Sequence, residues 1–357
     1  MPNPTKPSKT KLKKKSPRKP YKGWNLLKHG ISQSLLQKFI VDRDRFHKHA
    51  VLGIRSTDRK EAMEYGSIYH KLTEVGANMG RTYTKAKMTK YISDWIQRRY
   101  PAQESVLLAK IALVQYHLHR EWMKTKPSFT YVEAEPVFAE KYKLPPLNFT
   151  TEEMAIRVPS TEILLRGRID GVIEVNGELW LEENKTKSRI NLSDLADTIP
   201  ENIQVMFYAV AASIKYKRRV KGIIYNVIRK PGQRQRQKES DTEFLERIQK
   251  EIEDNPNYYF HRLSYSFPSG AIEKWKKEEL NPLLYHVYLW WKSIEKNPTN
   301  PWEDEDGNVN PFHGRRSFGI YDPMSNGKGD FFDLIVHGRK GNYIIDHNLF
   351  PELEDDD

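Results

Sequence analysis

The sequence predicts a mixed α/β fold in which one central β-sheet is flanked by helices. Amphipathic helical patterns come first along the chain, strand-like runs follow in the middle, and helices and strands alternate after that. The strongest local signal is Asn176-Gly177, which separates two apolar-rich runs within residues 161–187. Both residues tolerate the positive φ of a type I′ turn, so this stretch is predicted to form a β-hairpin in the sheet.

The remaining elements follow from periodicity and from capping and breaking residues. Ser32 or Ser34 can cap the first helix, and Pro136 interrupts the first strand. Helices are predicted over residues 31–46, 59–77, 84–98, 102–123, 193–214, 241–253 and 270–295. Besides the hairpin, strands are predicted over residues 128–142, 152–158, 221–229 and 258–267.

The positive charge of the chain is concentrated at its start. The formal net charge is +12, and residues 1–22 hold nine Lys and Arg and no acid, so the rest of the chain totals +3 (12 − 9). This Pro-, Lys- and Ser-rich stretch is predicted to be a disordered basic tail. It can raise affinity for DNA phosphates through counterion release, although a solubilising or partner-binding arm fits the same composition.

Composition also bounds the domain organisation and the function classes. We expect one folded domain over residues 23–300 and an irregular C-terminal extension over 301–357, which packs on the domain and has an acidic end. The absence of cysteine excludes disulfides, thiolate zinc sites, iron–sulfur clusters and a cysteine nucleophile. No apolar run approaches the ~20 residues of a membrane helix, and the N-terminus lacks a signal-peptide core. We therefore expect a cytoplasmic protein without membrane contact.

The register of the hairpin predicts a cluster of charged side chains. If Asn176 and Gly177 form the loop, the numbers of facing residues sum to 353 (176 + 177), and Asp170 faces Glu183. Lys185 then projects from the same face as Glu183, and Glu182 from the other face. Glu182 is the alternative to Glu183, because a slip of the strand by one residue would exchange them. Facing carboxylates repel, and a divalent cation between them removes the repulsion. The pattern favours metal-dependent phosphodiester hydrolysis, with a solvated strand face as the alternative.

Two helices carry further candidates. Gly66 and His70 are four residues apart and share a helix face, so His70 could reach a site over the glycine, although a lone histidine is more often structural. Gln204 and Tyr208 have the same spacing on the helix after the hairpin, where such a pair is unremarkable by itself. Glu135, beside Pro136 and on the same predicted strand side as Glu133, is a further acid.

A basic loop follows the strand at 221–229. The stretch KPGQRQRQK carries four Lys and Arg and no acid. It is a candidate for contact with DNA phosphates, and a solvated loop is the alternative. The DNA-binding candidates here are Arg229, Lys230, Arg234 and Arg236.

Together these pieces resemble the PD-(D/E)XK nuclease superfamily, and within it the RecB-type and phage-exonuclease branch. The resemblance spans about residues 30–295 and depends on four motifs in the family's order. They are Gly66-x-x-x-His70, Gly167-x-x-Asp170, Glu183-Asn184-Lys185-Thr186 and Gln204-x-x-x-Tyr208. The family implies a restriction-endonuclease-like core with a central mixed sheet.

The resemblance also implies roles for these residues. His70, Asp170 and Glu183 would bind one or two Mg²⁺ or Mn²⁺ ions, with the Asn184 carbonyl as a further ligand. Lys185 would orient the attacking water or stabilise charge on the phosphate. Gln204 and Tyr208 would contact DNA or order the lysine and the water.

One feature of many relatives is missing. Their four-cysteine iron–sulfur cluster would have its first cysteine near Asp42 and the others within residues 313–335, and this chain has no cysteine. The C-terminal region must therefore be held by packing or by another interaction.

The implied activity is that of a DNA exonuclease in phage or prophage recombination, replication or repair, located in the host cytoplasm if phage-encoded. A phage recombinase or a single-strand-binding protein is the expected protein partner, beside DNA itself. The alternatives are a structure-selective endonuclease with the same site and a nuclease-like protein that binds DNA without cleaving it.

Overall fold

A computed structural model describes residues 23–56, 61–99, 103–151, 155–295, 300 and 343–345. The predicted basic tail and most of the predicted C-terminal extension lie outside these residues, including the 313–335 segment. Within the described residues no helix has both the length and the apolar character needed to cross a membrane.

The described helices are amphipathic segments joined by short turns. Short π-helical turns lie at His47–Val51 and Lys276–Leu280. The α-helices are α1 (Leu26–His29), α2 (Gln33–Val41), α3 (Arg43–Phe46), α4 (Glu61–Met79), α5 (Lys85–Arg99), α6 (Gln103–Met123), α7 (Leu192–Thr198), α8 (Ile203–Tyr216), α9 (Asp241–Asp254), α10 (Pro256–Tyr259), α11 (Ala271–Trp275) and α12 (Asn281–Ile294).

The strands form a central five-stranded mixed sheet, a three-stranded mixed sheet and two small pairs. The strands are β1 (Ile31–Ser32), β2 (Ile54–Ser56), β3 (Thr130–Ala134), β4 (Val137–Leu144), β5 (Leu147–Thr150), β6 (Ala155–Val158), β7 (Thr161–Arg168), β8 (Gly171–Val175), β9 (Glu178–Lys187), β10 (Val220–Arg229), β11 (Phe260–Ser266) and β12 (Tyr343–Ile345). The central order is β11-β10-β9-β8-β3, and the smaller sheet has the order β1-β7-β4. Strand β12 pairs with β2, and β5 pairs with β6.

The central hairpin has the predicted register. Gly171 pairs with Glu182 and Val175 with Glu178, so facing numbers sum to 353 as expected from the loop position. Asn176 and Gly177 have φ angles of 51° and 79°, as a type I′ turn requires. Glu182 and Glu183 therefore project to opposite faces of β9.

Two chain segments cross from one sheet to the other at the same place. The segment β3–β4 crosses at Glu135-Pro136, and β7–β8 crosses at Ile169-Asp170. The crossings are hydrogen-bonded to each other, from the Glu135 N–H to the Asp170 carbonyl (3.0 Å) and from the Ile169 N–H to the Pro136 carbonyl (3.1 Å). The predicted single strand from 161 to 175 is therefore wrong, because its two halves serve different sheets.

The helices cover the central sheet on two sides and create two apolar cores. One core joins α2, α8 and α12 to the smaller sheet and to one face of β9 and β10. The other joins α4, α5, α6 and α9 to the opposite face, through residues such as Ile228 and Phe260. This layered arrangement confirms the predicted mixed α/β fold with helices on both sides of a mixed sheet.

Two predicted helices are interrupted by capping residues. The predicted helix 31–46 ends at Val41, because Asp42 is extended (φ −159°) and its carboxylate accepts from the Arg45 N–H to start α3. The predicted helix 193–214 is split, and the Asn202 side chain caps α8 by accepting from the Gln204 N–H at 2.9 Å. Asn and Asp side chains favour such breaks because they satisfy free N–H groups at helix starts.

The turn of the hairpin allows a clean test of the register. Gly177→Ala should destabilise the fold by about 1 kcal/mol, because an L-residue is strained at positive φ and the Cβ would meet nothing within 4 Å. Asn176→Gly should be close to neutral and serves as the matched control. Urea denaturation of both variants measures the difference, and equal stability of Gly177→Ala and wild type would contradict the turn assignment.

Candidate metal centre

Three side chains from three elements converge at the crossing point. His70 of α4, Glu135 and Asp170 each offer one ligand atom, and these atoms lie within 4.8 Å of one another. The His70 Nδ1 is 3.4 Å from the Asp170 Oδ1 and 3.8 Å from the Glu135 Oε1. One imidazole and two carboxylates form a donor set that suits Mn²⁺ or Mg²⁺.

Local backbone geometry places the two carboxylates. Glu135 has a φ of 51°, a left-handed conformation that is uncommon for a non-glycine residue and turns the side chain out of the strand path. The Asp170 Oδ2 accepts a hydrogen bond from the Asn184 N–H at 2.7 Å, which fixes the carboxylate against β9. Both residues are held by the hydrogen-bonded crossings, so their carboxylates face each other at the seam between the sheets.

Helix α4 brings His70 to this seam from the other side. One turn before it, a Cβ added to Gly66 would lie 3.4 Å from the Thr186 Oγ1, so the helix runs close to β9. The glycine costs roughly 1 kcal/mol of helix propensity relative to alanine. A glycine at this position lets α4 approach β9 closely, which explains why the cost is accepted.

One oxygen of the Glu135 carboxylate is buried and lacks a hydrogen-bond partner among the described residues. Its Oε1 is inaccessible and accepts no hydrogen bond, and the His70 Nδ1 is too distant at 3.8 Å. An unsatisfied buried acceptor costs about 1–3 kcal/mol, more for a charged group. A divalent cation among Glu135, Asp170 and His70 would supply the missing partner, so the residues present fit a metal.

Glu183 lies beside this group and is held by two partners. Its side chain is 3 % exposed, forms an ion pair with Lys185 and accepts a hydrogen bond from the Gln204 Nε2 at 2.7 Å. It is not among the three residues whose ligand atoms lie within 4.8 Å of one another. The structure therefore places Glu183 and Lys185 together, with Gln204 fixing the carboxylate from α8.

The site concentrates negative charge in a buried place. Burial raises the pKa of Glu183, and the Asp170 carboxylate raises it further, against the opposing effects of Lys185 and His70. Burial also raises the pKa of Asp170. Burial lowers the pKa of His70, but the Asp170, Glu135 and Glu183 carboxylates outweigh burial and raise it to about 9. The centre thus attracts a proton in the place where a metal cation would lie.

Asn184 contacts the centre through its backbone, and Tyr208 lies near the carboxylates of the centre. The Asn184 N–H points to Asp170, and since the N–H and C=O of one strand residue face the same neighbour, its carbonyl faces the centre too. Its side chain is on the opposite face, where the Oδ1 accepts from the Asn226 Nδ2 at 3.0 Å. Tyr208 lies one turn after Gln204 and lines a cavity of about 230 Å³ with Arg168.

Glu135 belongs to the group of three possible metal ligands in the structure, whereas the sequence analysis gives it only as a further acid. The sequence interpretation puts Glu133 and Glu135 on one side, but Glu133 binds Lys215 (2.9 Å) and Tyr216 (2.6 Å) on α8. The strand bulges between Tyr131 and Glu133, and Glu135 leaves the strand altogether. In the sequence, Pro136 was the signal that Glu135 leaves the strand, because proline cannot donate a hydrogen bond to a neighbouring strand.

The basic loop divides into internally bonded and exposed residues. Arg229 donates to the carbonyls of Tyr258 (3.1 Å) and Ser188 (3.4 Å) and lies over the Tyr258 ring at 4.2 Å. The Lys230 ammonium is 5.3 Å from the centre of the Tyr65 ring. Arg234 and Arg236 are exposed. Arg229 thus helps to fix the loop, and the exposed cations are those further along it.

Asp42, near which the sequence resemblance would place a first cluster cysteine, is a structural acid. Asp42 is 2 % exposed and caps α3, and burial raises the pKa of its carboxyl. Near it, Trp24, Phe39 and Phe46 pack around the buried Trp290 of α12. Aromatic packing and a helix cap therefore consolidate this part of the fold.

Comparison with known proteins agrees with this geometry. The model of the PD-(D/E)XK nuclease superfamily matches residues 31–280, which contain both crossings, the hairpin, α4 and α8. Comparison with curated proteins gives no match. Since the family match covers well over half of the chain, the chain belongs to the PD-(D/E)XK nuclease superfamily.

Proposed function

We propose that this nuclease is a divalent-metal-dependent deoxyribonuclease of the RecB-type branch, acting as an exonuclease at DNA ends. The observation that carries the proposal is the convergence of His70, Glu135 and Asp170 beside the Glu183–Lys185 pair. We assign the activity to a domain over residues 23–300. The pairing of β12 with β2 supports packing of the C-terminal extension on this domain.

The metal ligands in this proposal are His70, Glu135, Asp170 and Glu183, with the Asn184 carbonyl beside them. A bound Mg²⁺ or Mn²⁺ would act as a Lewis acid that acidifies water and neutralises charge on the scissile phosphate. The imidazole makes the site softer than an all-oxygen site, which favours good activity with Mn²⁺. One or two ions fit the number of donors.

Lys185 acts as a cation in this mechanism. Burial lowers its pKa, but the charges of Glu183 and Asp170 outweigh burial and hold the pKa above the ordinary lysine value. A lysine that stays protonated donates hydrogen bonds and does not remove a proton. Its side chain is 29 % exposed, so the ammonium can orient a water or stabilise negative charge on a phosphate.

Gln204 and Tyr208 support this centre from α8. Gln204 donates to Glu183 and so fixes the direction of the carboxylate that pairs with Lys185. Tyr208 stays neutral, since burial and the nearby carboxylates raise its pKa. Together with the exposed Arg234 and Arg236 of the basic loop, it is available for contact with the DNA backbone.

An exonuclease is our first candidate, and its biological setting would be phage or prophage DNA recombination, replication or repair in the cytoplasm. A structure-selective endonuclease with the same centre is the second candidate. The presence of Asp170, Glu183 and Lys185 together argues against a protein that binds DNA without cleaving it. A phage recombinase or a single-strand-binding protein is the proposed protein partner.

The proposal is tested with end-labelled linear DNA and closed circular DNA of the same sequence. Wild-type protein with Mg²⁺ or Mn²⁺ should degrade linear DNA from an end and leave circles intact, and EDTA should abolish the reaction.

Asp170→Asn should reduce cleavage by at least about 10³-fold, an order of magnitude typical of the loss of a group that stabilises the transition state, while DNA binding persists. Glu174→Gln, on the same hairpin but away from the centre, is the matched control. Cleavage of circles would favour the endonuclease, and undiminished cleavage by Asp170→Asn would refute the centre.

Glu135 provides a direct test of metal binding. Glu135→Gln should weaken Mn²⁺ binding about tenfold or more, because it removes a charged ligand from a group of three. Electron paramagnetic resonance of free Mn²⁺ measures the binding without any turnover. Glu133→Gln is the matched control, since Glu133 pairs with Lys215 away from the centre. Equal affinity of Glu135→Gln and wild type would remove Glu135 from the ligand set.

The basic tail should act on DNA affinity and not on chemistry. Deleting residues 1–22 removes nine positive charges, so DNA binding should weaken and its dependence on salt should become less steep. The turnover at saturating DNA should remain. Binding measured across a salt series checks this expectation, and an unchanged slope would show that the tail does not contact DNA.

A further inference from the structure

A second cavity lies against β9, on the face opposite Glu183. It has a volume of about 260 Å³ and opens between α4, α6 and β3. Its floor is formed by Glu182 and Asn184 of β9, which flank Glu183 in sequence and face the other way. Thr73 of α4 lines the same cavity one turn after His70, so the helix that carries His70 also forms a wall of the cavity.

The floor of this cavity is a buried polar network. Glu182 is 2 % exposed and accepts hydrogen bonds from the Tyr131 hydroxyl and from the Asn226 Nδ2 (2.9 Å). Asn226 in turn accepts from the Arg262 Nε at 3.1 Å. A sheet face that packs only against helices is usually apolar, so a polar floor needs another reason.

Two polar groups beside this network have no hydrogen-bond partner among the described residues. The Tyr69 hydroxyl lies 2.8 Å from the His119 Nδ1, and burial together with the charges of Arg262 and Arg120 lowers the pKa of His119 to about 3. The ring is therefore neutral, and its Nε2 is buried without a partner among the described residues. The Asn184 side-chain NH₂ likewise donates no hydrogen bond within the described part of the chain, because only its Oδ1 is bonded.

The walls of the cavity are aromatic. Phe129 and Tyr131 pack edge to face with ring centres 5.3 Å apart, and the Arg262 guanidinium lies 5.2 Å from the centre of the Phe129 ring. Tyr116 lines the opposite wall. Flat rings around a narrow space are suited to stacking on another flat ring.

The entrance carries positive charge. Arg120 and Lys124 line it from α6 and the turn that follows. Arg120 donates to the Tyr116 hydroxyl at 3.2 Å, and Lys124 is paired with the exposed Glu121 at 2.7 Å. Both are near the surface, where cations can also approach a phosphate.

From this combination we infer that the cavity binds an unpaired nucleotide, with its base between the aromatic walls and its phosphate at the Arg120–Lys124 entrance. The Asn184 NH₂ and the His119 Nε2 are free polar groups of the cavity, and nucleobases present hydrogen-bond donors and acceptors at their edges. The inference rests on the proposed function, since it gives a part of the DNA strand a site on the face of β9 opposite Glu183.

The test uses metal-free full-length protein, so that binding is separated from cleavage. Fluorescence anisotropy with a labelled single-stranded oligonucleotide and calorimetry with dTMP measure the two sources of a nucleotide. Ser128→Trp places an indole in the cavity from an exposed position, and Ser128→Ala is its matched control. We expect Ser128→Trp to weaken binding at least about tenfold, as expected for the loss of one stacked base, and Ser128→Ala to leave it unchanged.

A second variant and a second readout keep the outcomes distinct. Phe129→Leu should weaken binding while retaining an apolar wall, and thermal unfolding shows whether either variant is folded. Mn²⁺ binding should be unchanged in both, which separates the cavity from the metal centre. Loss of both dTMP and oligonucleotide binding supports a site for single nucleotides, and loss of oligonucleotide binding alone supports a strand end. Oligonucleotide binding by folded Ser128→Trp that equals wild type would overturn the inference, whether or not the protein cleaves DNA.

Discussion

The two hydrogen bonds that join the strand crossings are the constraint on which the rest of the structure depends. They hold Glu135-Pro136 against Ile169-Asp170 at the point where both segments leave one sheet and enter the other. Because each segment changes sheets there, the two sheets meet at this seam. The same bonds fix the backbone of two acidic residues side by side, and α4 completes the group with His70. The metal centre is thus a product of the topology and not of a single motif.

Strand β9 separates two chemically different environments. On one face Glu183 is held by Lys185 and Gln204, next to the carboxylates of the centre. On the other face Glu182 is held by Tyr131 and Asn226. Burying neighbouring acids on both faces is costly unless each has its own partners, and the chain supplies a distinct set to each. A ligand on either face therefore contacts the same rigid strand.

The sequence was most informative where local periodicity decides the structure. The period of two and the Asn-Gly turn determined which of Glu182 and Glu183 faces Lys185, and the pairing of β8 with β9 confirms that register. The sheet crossing at Asp170 could not be predicted, because residues 161–175 read as one continuous apolar strand. The positive φ of Glu135 also has no signal in its residue type, since tertiary hydrogen bonds impose it. The sequence analysis therefore predicted Asp170 and His70 as metal ligands but named Glu135 only as a further acid.

The short crossings limit how the chain length can vary. Each crossing contains only two residues, and side chains alternate along a strand, so one inserted residue would rotate every following side chain to the wrong face. The hairpin tip differs, because Gly177 has open space around it and the whole of β8 separates the tip from Asp170. At about 3.3 Å per residue, the tip lies roughly 20 Å from the centre. Insertions and fused reporter domains should therefore be tolerated at the tip, whereas evolution and engineering alike must keep the length of the crossings fixed.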